Sequence, residues 1–541
     1  MPIDINLLRK SKGGDPDKVK ESEMKRGRNT DHINKIMLQD EEWIKKKFQL
    51  DQMRKDKNNL SKMIKQLKEE KKSEAEVEEI NLKAKKMNEE IEKLEKEEEE
   101  LSLSLKSQVK KIGNIVDASV KASSNEEENI IVKTYGNPNK DWVIDGTFGN
   151  LHHHEIMTLL DIVDTERGQK IAGHRAYFLK DAGVLLNQAL INYSLDMLVN
   201  KRYTILQTPY FMNHSIMNET CQLSDFQDTL YKVITQNENE PAYLIATSEQ
   251  PISGYFYKEW LNEKDLPIRF GGFSSCFRKE AGAHGKDLWG IFRIHQFEKV
   301  EQFCITTPET SWAMHEEMIS VCEEYYKGLE LPFRIVNIVA VELNDAAAKK
   351  YDLEAWFPGY HNYRELVSCS NCTDFQSRGL EVRCGSKKND IEKRYVHMLN
   401  CTLCATERTM CCILENYQEK NGVRIPKALI PYMHGITFLP YKVTQIEALK
   451  DLQKLYDKAL QEEQKKGKKD KKDKKEKKDK KDKEEKKDQN EIKESHKKKD
   501  KKDKKKQGSN IPEEKKGDSE VIKPKEDPIE IAQNVVEIKK E

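Results

Sequence analysis

Apolar residues recur along this chain at two periods, and where neither period appears the chain is almost wholly polar. From residue 33 to about 67 the apolar positions include Ile44, Phe48, Leu60, Met63, Ile64 and Leu67, at helical spacings of three and four. Residues 77–105 are more regular. Val77, Ile80, Ala84, Met87, Ile91, Leu94, Leu101 and Leu105 keep heptad register, with Glu98 the one seam position that breaks it. Neither stretch contains Gly or Pro, which predicts two helices of roughly 35 residues, each about 50 Å long. The polar break at Lys71-Lys72-Ser73 between them predicts an antiparallel hairpin. Residues 183–200 form a further amphipathic helix (Leu185, Ala189, Tyr193, Met197), and 203–209 a strand ending at a proline. More strands are expected at 242–247, 273–278, 291–297, 299–306 and 333–341. Most follow one another with no room for a crossover helix, which favours an antiparallel sheet. A last helix is expected from 443 to 464, and a lysine-rich run follows.

Composition sharpens this picture at the C-terminus. The chain has 541 residues and is only 36% hydrophobic, below the roughly 45–50% of ordinary globular chains. Its net charge of +1 conceals segregation. Residues 465–506 hold 24 Lys and 12 acids, a local +12, and the rest of the chain carries −11. Such a run cannot bury enough apolar area to offset chain entropy and is expected to be disordered. Four regions follow: 1–128 with the hairpin at about 33–110, a globular domain at 129–445, a helix at 446–464, and the tail at 465–541. No apolar run approaches the roughly 18 residues of a membrane helix. Met1-Pro2-Ile3-Asp4 has neither signal-peptide nor transit-peptide character, so a soluble intracellular protein is expected. All eleven cysteines lie between Cys221 and Cys412, which suits reduced thiols rather than a disulfide framework.

The hairpin is unequally charged. Residues 41–70 hold nine Lys/Arg and six acids, and 74–100 hold five Lys and twelve acids. A basic first helix is a track for phosphates, although a heptad seam alone would specify only a coiled coil. In the globular part, Phe277-Arg278-Lys279-Glu280-Ala281-Gly282 and the run from Ile291 to Glu301 place an arginine at one strand end and a glutamate in the next strand. Arg408 follows Asn400-Cys401-Thr402-Leu403-Cys404 and opens a helix. Arginine's planar fork suits phosphate.

Taken together with Thr247-Ser248-Glu249 and the stretch from Glu365 to Cys372, these motifs resemble, in order and spacing, the eukaryotic cytosolic seryl-tRNA synthetases, a family of class II aminoacyl-tRNA synthetases. The resemblance spans roughly residues 1–445. It implies an α+β fold, an antiparallel sheet flanked by helices behind an N-terminal helical hairpin, acting as a cytoplasmic homodimer on ATP, L-serine and tRNA(Ser) with Mg²⁺. No membrane or DNA partner is implied, and charging of tRNA(Sec) stays open. Motif 1, at the dimer interface, corresponds to 183–209. The resemblance assigns catalysis to Arg278 at the α-phosphate and Arg408 at the γ-phosphate. ATP binding falls to these two with Lys279, Glu280, Ile294, His295, Gln296, the stacking ring of Phe297, Glu365, Leu366, Val367 and Ser368. Glu365 and Ser368 are the implied oxygen ligands of Mg²⁺. Serine falls to Thr247, Ser248, Glu249, Glu301, Asn400 and Thr402. Lys45, Lys46, Lys47, Arg54, Lys55 and Lys57 of the hairpin are expected on the variable arm of the tRNA. The alternative is a catalytically silent relative that binds tRNA or regulates, which would be free to lose Arg278, Glu280, Glu301 and Arg408; all four are present.

Two further motifs suggest metal. Cys369-x-x-Cys372 and Cys401-x-x-Cys404 have the spacing of a four-cysteine zinc site. The resemblance places them instead in the nucleotide and serine segments, so no zinc is expected. His152-His153-His154 are consecutive, cannot converge on one ion, and are expected in an exposed loop. His434 stands where the family frequently has glycine.

Overall fold

A computed structural model of the chain describes residues 3–69, 74–138, 150–220, 229–235, 240–280, 289–385 and 394–443. The expected helix at 443–464 and the lysine-rich run lie outside the described residues.

The N-terminal region opens with helix α1 (Pro16–Lys25), started by the Asp15 side chain, which accepts from the Asp17 and Lys18 amides, and by proline at its first position. The long helices α2 (Asp31–Glu69) and α3 (Glu74–Val109) follow and run antiparallel. Cross-helix pairs fix their register: Gln39 with Ser104, Trp43 with Glu98, Lys46 with Glu97 and Arg54 with Glu95. Glu98, the residue that breaks the heptad seam, accepts the Trp43 indole N–H at 2.7 Å. At the hairpin base Ile33, Ile36, Leu105 and Val109 bury with Ile3, Ile5, Leu8 and Val19 in a core that also takes Phe375.

The globular domain is built on one eight-stranded sheet. Its strands are β1 (Ile130–Tyr135), β2 (Thr204–Gln207), β3 (Ile268–Phe277), β4 (Gln296–Thr306), β5 (Phe333–Asn337), β6 (Lys349–Phe357), β7 (Asn362–Asn371) and β8 (His397–Ala405). Across the sheet they run β1-β5-β6-β7-β8-β4-β3-β2, all antiparallel except the parallel pair β2/β3. The strands expected at 291–297 and 299–306 are a single strand, β4, and residues 291–295 lead into it as an irregular loop. The strand expected at 242–247 is shorter, Ala242–Leu244, and belongs to a separate three-stranded sheet.

Helices α4 (His153–Leu160), α5 (Ala182–Asn200), α6 (Ser311–Gly328), α7 (Phe375–Leu380) and α8 (Thr406–Asn416) complete the part needed here. Helix α6 packs on β7 and β8, and α8 on α4, α5 and β4, so one sheet face is dry. Leu190, Leu198, Cys304, Cys322, Tyr325, Tyr326, Leu353, Cys401 and Leu403 are buried in that core.

Cys369 and Cys401 are cross-strand partners, and Cys401 meets Cys322 of α6 at 3.4 Å. Cys372 instead takes the Asn400 amide, and Cys404 lies 3.5 Å from the Thr409 hydroxyl. His153 and His154, expected in an exposed loop, are 0% and 2% exposed in the first turn of α4. Their rings sit among Trp289, Phe292 and Tyr360, and that aromatic burial is what the expectation missed. His434 adopts a left-handed φ of 53°, the conformation for which glycine is favoured. Among the described residues no helix is long and apolar enough to cross a membrane.

Candidate active site

Two irregularities in the sheet aim the side chains. Along a regular strand, residues three apart point to opposite faces. Glu365 and Ser368 of β7 are three apart, yet they pair with Glu354 and Asp352, which are two apart on β6, so both face the same way. The slip is a β-bulge at Leu366. A second occurs on β8, where Thr402 and Ala405 pair with Glu301 and Lys299, leaving Leu403 as the extra residue. Bulges of this kind re-aim side chains beside sites.

The face they serve lines a cavity of about 580 Å³. One end is a carboxylate cage. Glu301, 2% exposed, accepts from Thr247 Oγ1 at 2.6 Å, Ser248 Oγ at 2.9 Å, the Glu249 amide at 3.0 Å and Lys299 Nζ at 2.7 Å. Lys299 also donates to Thr247 Oγ1 at 2.8 Å. Burial alone would raise the pKa of Glu301, but the Lys299 charge and the hydroxyl donors hold it below the ordinary carboxylate value. Glu249 accepts from Gln376 at 2.7 Å and Asn400 at 2.9 Å. Burial, then repulsion from Glu301, pushes Glu249 up to about 7. Gly272 lies opposite Glu301 on β3; a Cβ there would come within 2.5 Å of Ile252 and 2.8 Å of Ser248 Oγ, so only glycine leaves room for the cage.

The other end is cationic. Arg278 lies 5.2 Å over the Phe297 ring and donates to the Ala246 carbonyl. Arg408 lies 5.0 Å over Phe292 and 3.5 Å from Glu365. Arg293 reaches Glu280 at 3.4 Å. Burial, with repulsion from Arg278 and Arg293, depresses the Arg408 pKa despite Glu365. Three guanidiniums crowded to the point of mutual repulsion suit a polyanion such as a triphosphate. Partial desolvation opposes ionisation of the half-exposed Glu365, but Arg408, Lys350, Arg278 and Arg293 together hold it below its ordinary value. An ionised carboxylate beside a serine hydroxyl on the cavity wall is the hard oxygen set that Mg²⁺ takes.

Of the residues expected here, Thr247, Glu249, Arg278, Glu280, Ile294, Phe297, Glu301, Glu365, Leu366, Ser368, Asn400, Thr402 and Arg408 line the cavity. Ser248 stands just behind, bonded to Glu301. Four others have side chains elsewhere. Lys279 turns out over the Tyr231 ring, the Gln296 side chain is exposed, and Val367 points into the dry core. His295 binds the Arg278 carbonyl at 2.9 Å and so holds the arginine's backbone. The sequence reading missed Arg293, Phe292, Lys299 and Gln376. Lys299 was within reach, since it stands two residues from Glu301 on one strand face. Gln376 is distant in sequence from everything it meets and gave no signal.

On the hairpin, Lys46 and Arg54 are tied to Glu97 and Glu95 at 2.8 Å each, and Lys47 lies 4.6 Å over the Trp43 ring. Lys45 and Lys55 are exposed and Lys57 is partly so.

Residues 231–417 match the model of the class II tRNA synthetase core domain (G, H, P, S and T), and residues 3–116 that of the seryl-tRNA synthetase N-terminal domain. The cytoplasmic serine–tRNA ligase of Dictyostelium discoideum is 50% identical over 442 residues, 82% of this chain and 95% of that protein. That of Saccharomyces cerevisiae is 49% identical over 453 residues, covering 81% and 96%. Among solved structures, the cytoplasmic serine–tRNA ligase of Naegleria fowleri in complex with AMP superposes with a TM-score of 0.74 at 43% identity, covering 81% of this chain and 99% of that one. The seryl-tRNA synthetase of Pyrococcus horikoshii complexed with ATP gives 0.74 at 37% identity, covering 82% and 100%.

Proposed function

The chain belongs to the seryl-tRNA synthetase family, and from that premise we propose how its site performs the work of a serine–tRNA ligase, which activates L-serine with ATP and transfers it to tRNA. The observation that carries the reading is one cavity with a hydroxyl-lined carboxylate cage at one end and three arginines at the other.

Serine enters the cage with its ammonium group on Glu249 and Thr247 and its hydroxyl on Glu301. Asn400 and Thr402 close the wall. Because Glu301 stays ionised it can only accept, and the serine hydroxyl brings it a donor, beside those of Thr247, Ser248 and Lys299, that alanine cannot supply. ATP lies across the arginines with its adenine between Phe297 and the cavity wall at Ile294. Arg278 then faces the α-phosphate and Arg408 the γ-phosphate. The serine carboxylate attacks the α-phosphorus in line, and Arg278, Arg293 and Arg408 balance the charge that passes to pyrophosphate. No general base is needed, because the nucleophile is already an anion. Mg²⁺ on Glu365 and Ser368 would add charge neutralisation at the phosphates. The terminal ribose of tRNA takes the seryl group from the adenylate.

The exposed lysines of the hairpin, Lys45, Lys47 and Lys55 with Lys57 alongside, support the reading that it takes the tRNA's variable arm. A homodimer through the motif 1 region, residues 183–209, belongs to the same proposal. Relatives named as cytoplasmic support residence in that compartment.

The test is ATP–pyrophosphate exchange with each amino acid in turn. Serine alone supports exchange, and Arg278→Ala abolishes it. Undiminished exchange in that variant would overturn the assignment of the site.

A further inference from the structure

The consecutive histidines remain outside the mechanism above, and one of them makes contacts that specify its charge. His153 is fully buried. Its Nδ1 lies 2.8 Å from Glu415 Oε1, and its Nε2 lies 3.2 Å from the Trp289 carbonyl oxygen. A carbonyl only accepts. Glu415 also behaves as an acceptor on both oxygens, taking the His153 amide at 3.0 Å on Oε1 and the Gly359 amide at 2.9 Å on Oε2. A neutral imidazole carries one N–H and would set a bare lone pair against one of these oxygens; the imidazolium donates to both.

The two partners belong to the two arms of the anion-binding end. Trp289 opens the 289–294 segment, which brings Phe292 and Arg293 to the cavity; Glu415 lies on α8, which begins two residues before Arg408. Between the arms, Phe292 meets both the His153 ring, at 6.1 Å, and the Arg408 guanidinium, at 5.0 Å.

We propose that His153 is a positioning residue for ATP, a buried imidazolium that clamps the segment carrying Phe292 and Arg293 to the helix carrying Arg408. The proposal rests on the ATP assignment made above. A buried ion pair gives little net stability against an apolar replacement, so its value lies in geometry. The groups that face His153 are consistent with a retained charge. On α8 these are Glu415 and Cys411; on its own helix they are Glu155, His154 and the neighbouring His152. Tyr360 stacks on it, and Arg364 lies over the Phe292 and Tyr360 rings. Burial opposes the charge, but Cys411 and Glu415 outweigh it and the pKa lies well above the ordinary histidine value. Because the folded value is raised, the clamp is intact at neutral pH and is lost as pH rises through that value.

The proposal is tested first on the unaltered full-length chain. Nitrogen-15 NMR of histidine-labelled protein, with His153 identified by its absence in His153→Gln, shows both ring nitrogens protonated at pH 8; a neutral tautomer there overturns the proposal. Pyrophosphate exchange supplies the second readout. His153→Gln and Glu415→Gln each raise KM for ATP by about tenfold, the scale of a positioning loss passed on through a neighbour, and leave KM for serine within about twofold. In the wild type KM for ATP should rise as pH passes the folded His153 value, and His153→Gln should abolish that rise. An unchanged KM for ATP in a folded variant, or an equal rise for both substrates, assigns His153 to packing alone. Failure of serine-dependent exchange in the wild type would refute the ATP reading itself and is a separate result.

Discussion

Glu249 and Glu301 are two carboxylates in one cage driven apart by their neighbours, Glu301 down by Lys299 and the hydroxyls, Glu249 up to about 7 by burial and by Glu301. The ammonium group of serine needs Glu249 as the anion. Below its pKa Glu249 is a neutral acid, so KM for serine should fall as pH rises from about 6 to 7.5, a window in which an amino group stays largely protonated. Pyrophosphate exchange at saturating ATP measures this. In Glu249→Gln the dependence should vanish with KM high throughout; a flat wild-type profile would mean that Glu249 is ionised across the range. At this scale the sequence was informative wherever chemistry sits in a short motif, as with Arg278, Glu301 and Arg408. It was uninformative for Gln376, whose bond to Glu249 spans 127 residues, and misleading for His153 and His154, whose burial depends on rings supplied by other segments.

The hairpin was the most legible element, because a heptad seam free of Gly and Pro has one natural structure. What the pattern could not give was partner identity. Glu98 looked like a flaw in the seam until Trp43 was found donating to it, and two of the six basic residues expected on tRNA are paired with α3 instead. Exposed pairs of this kind contribute little to stability and are weakened by salt, so they can open to a phosphate at low cost. Removing residues 48–93 and joining the ends through a short Gly/Ser linker keeps the Trp43–Glu98 contact and the base core around Leu105. Serine-dependent pyrophosphate exchange should survive this deletion and serylation of tRNA should be lost. Loss of both reactions would make the distal hairpin part of the catalytic fold. The sheet was legible as antiparallel but not in register, since a bulge leaves no mark in an alternation that is buried on both faces, as β4, β7 and β8 largely are.

For the molecule as a whole, a net charge of +1 describes none of its parts. Outside residues 465–506 the chain carries −11 while it handles a polyanion, and that run carries +12. Truncation after Gln464 should therefore weaken tRNA binding at low salt and flatten the plot of log affinity against log salt, because fewer counterions are released. An unchanged slope would assign tRNA binding wholly to the hairpin and the catalytic domain. Adenylate formation should be indifferent to the truncation. The bulges at Leu366 and Leu403 bear on the molecule in another way. They act as frame marks: each strand is read in one frame up to its extra residue and in the other frame beyond it. A substitution at either leucine alters one side chain, and deletion of either leucine removes the bulge yet leaves Glu365 with Ser368, or Thr402 with Ala405, on one face of a regular strand. What the extra residue contributes at these two positions is therefore shape, a local bend and added twist of the strand beside the site.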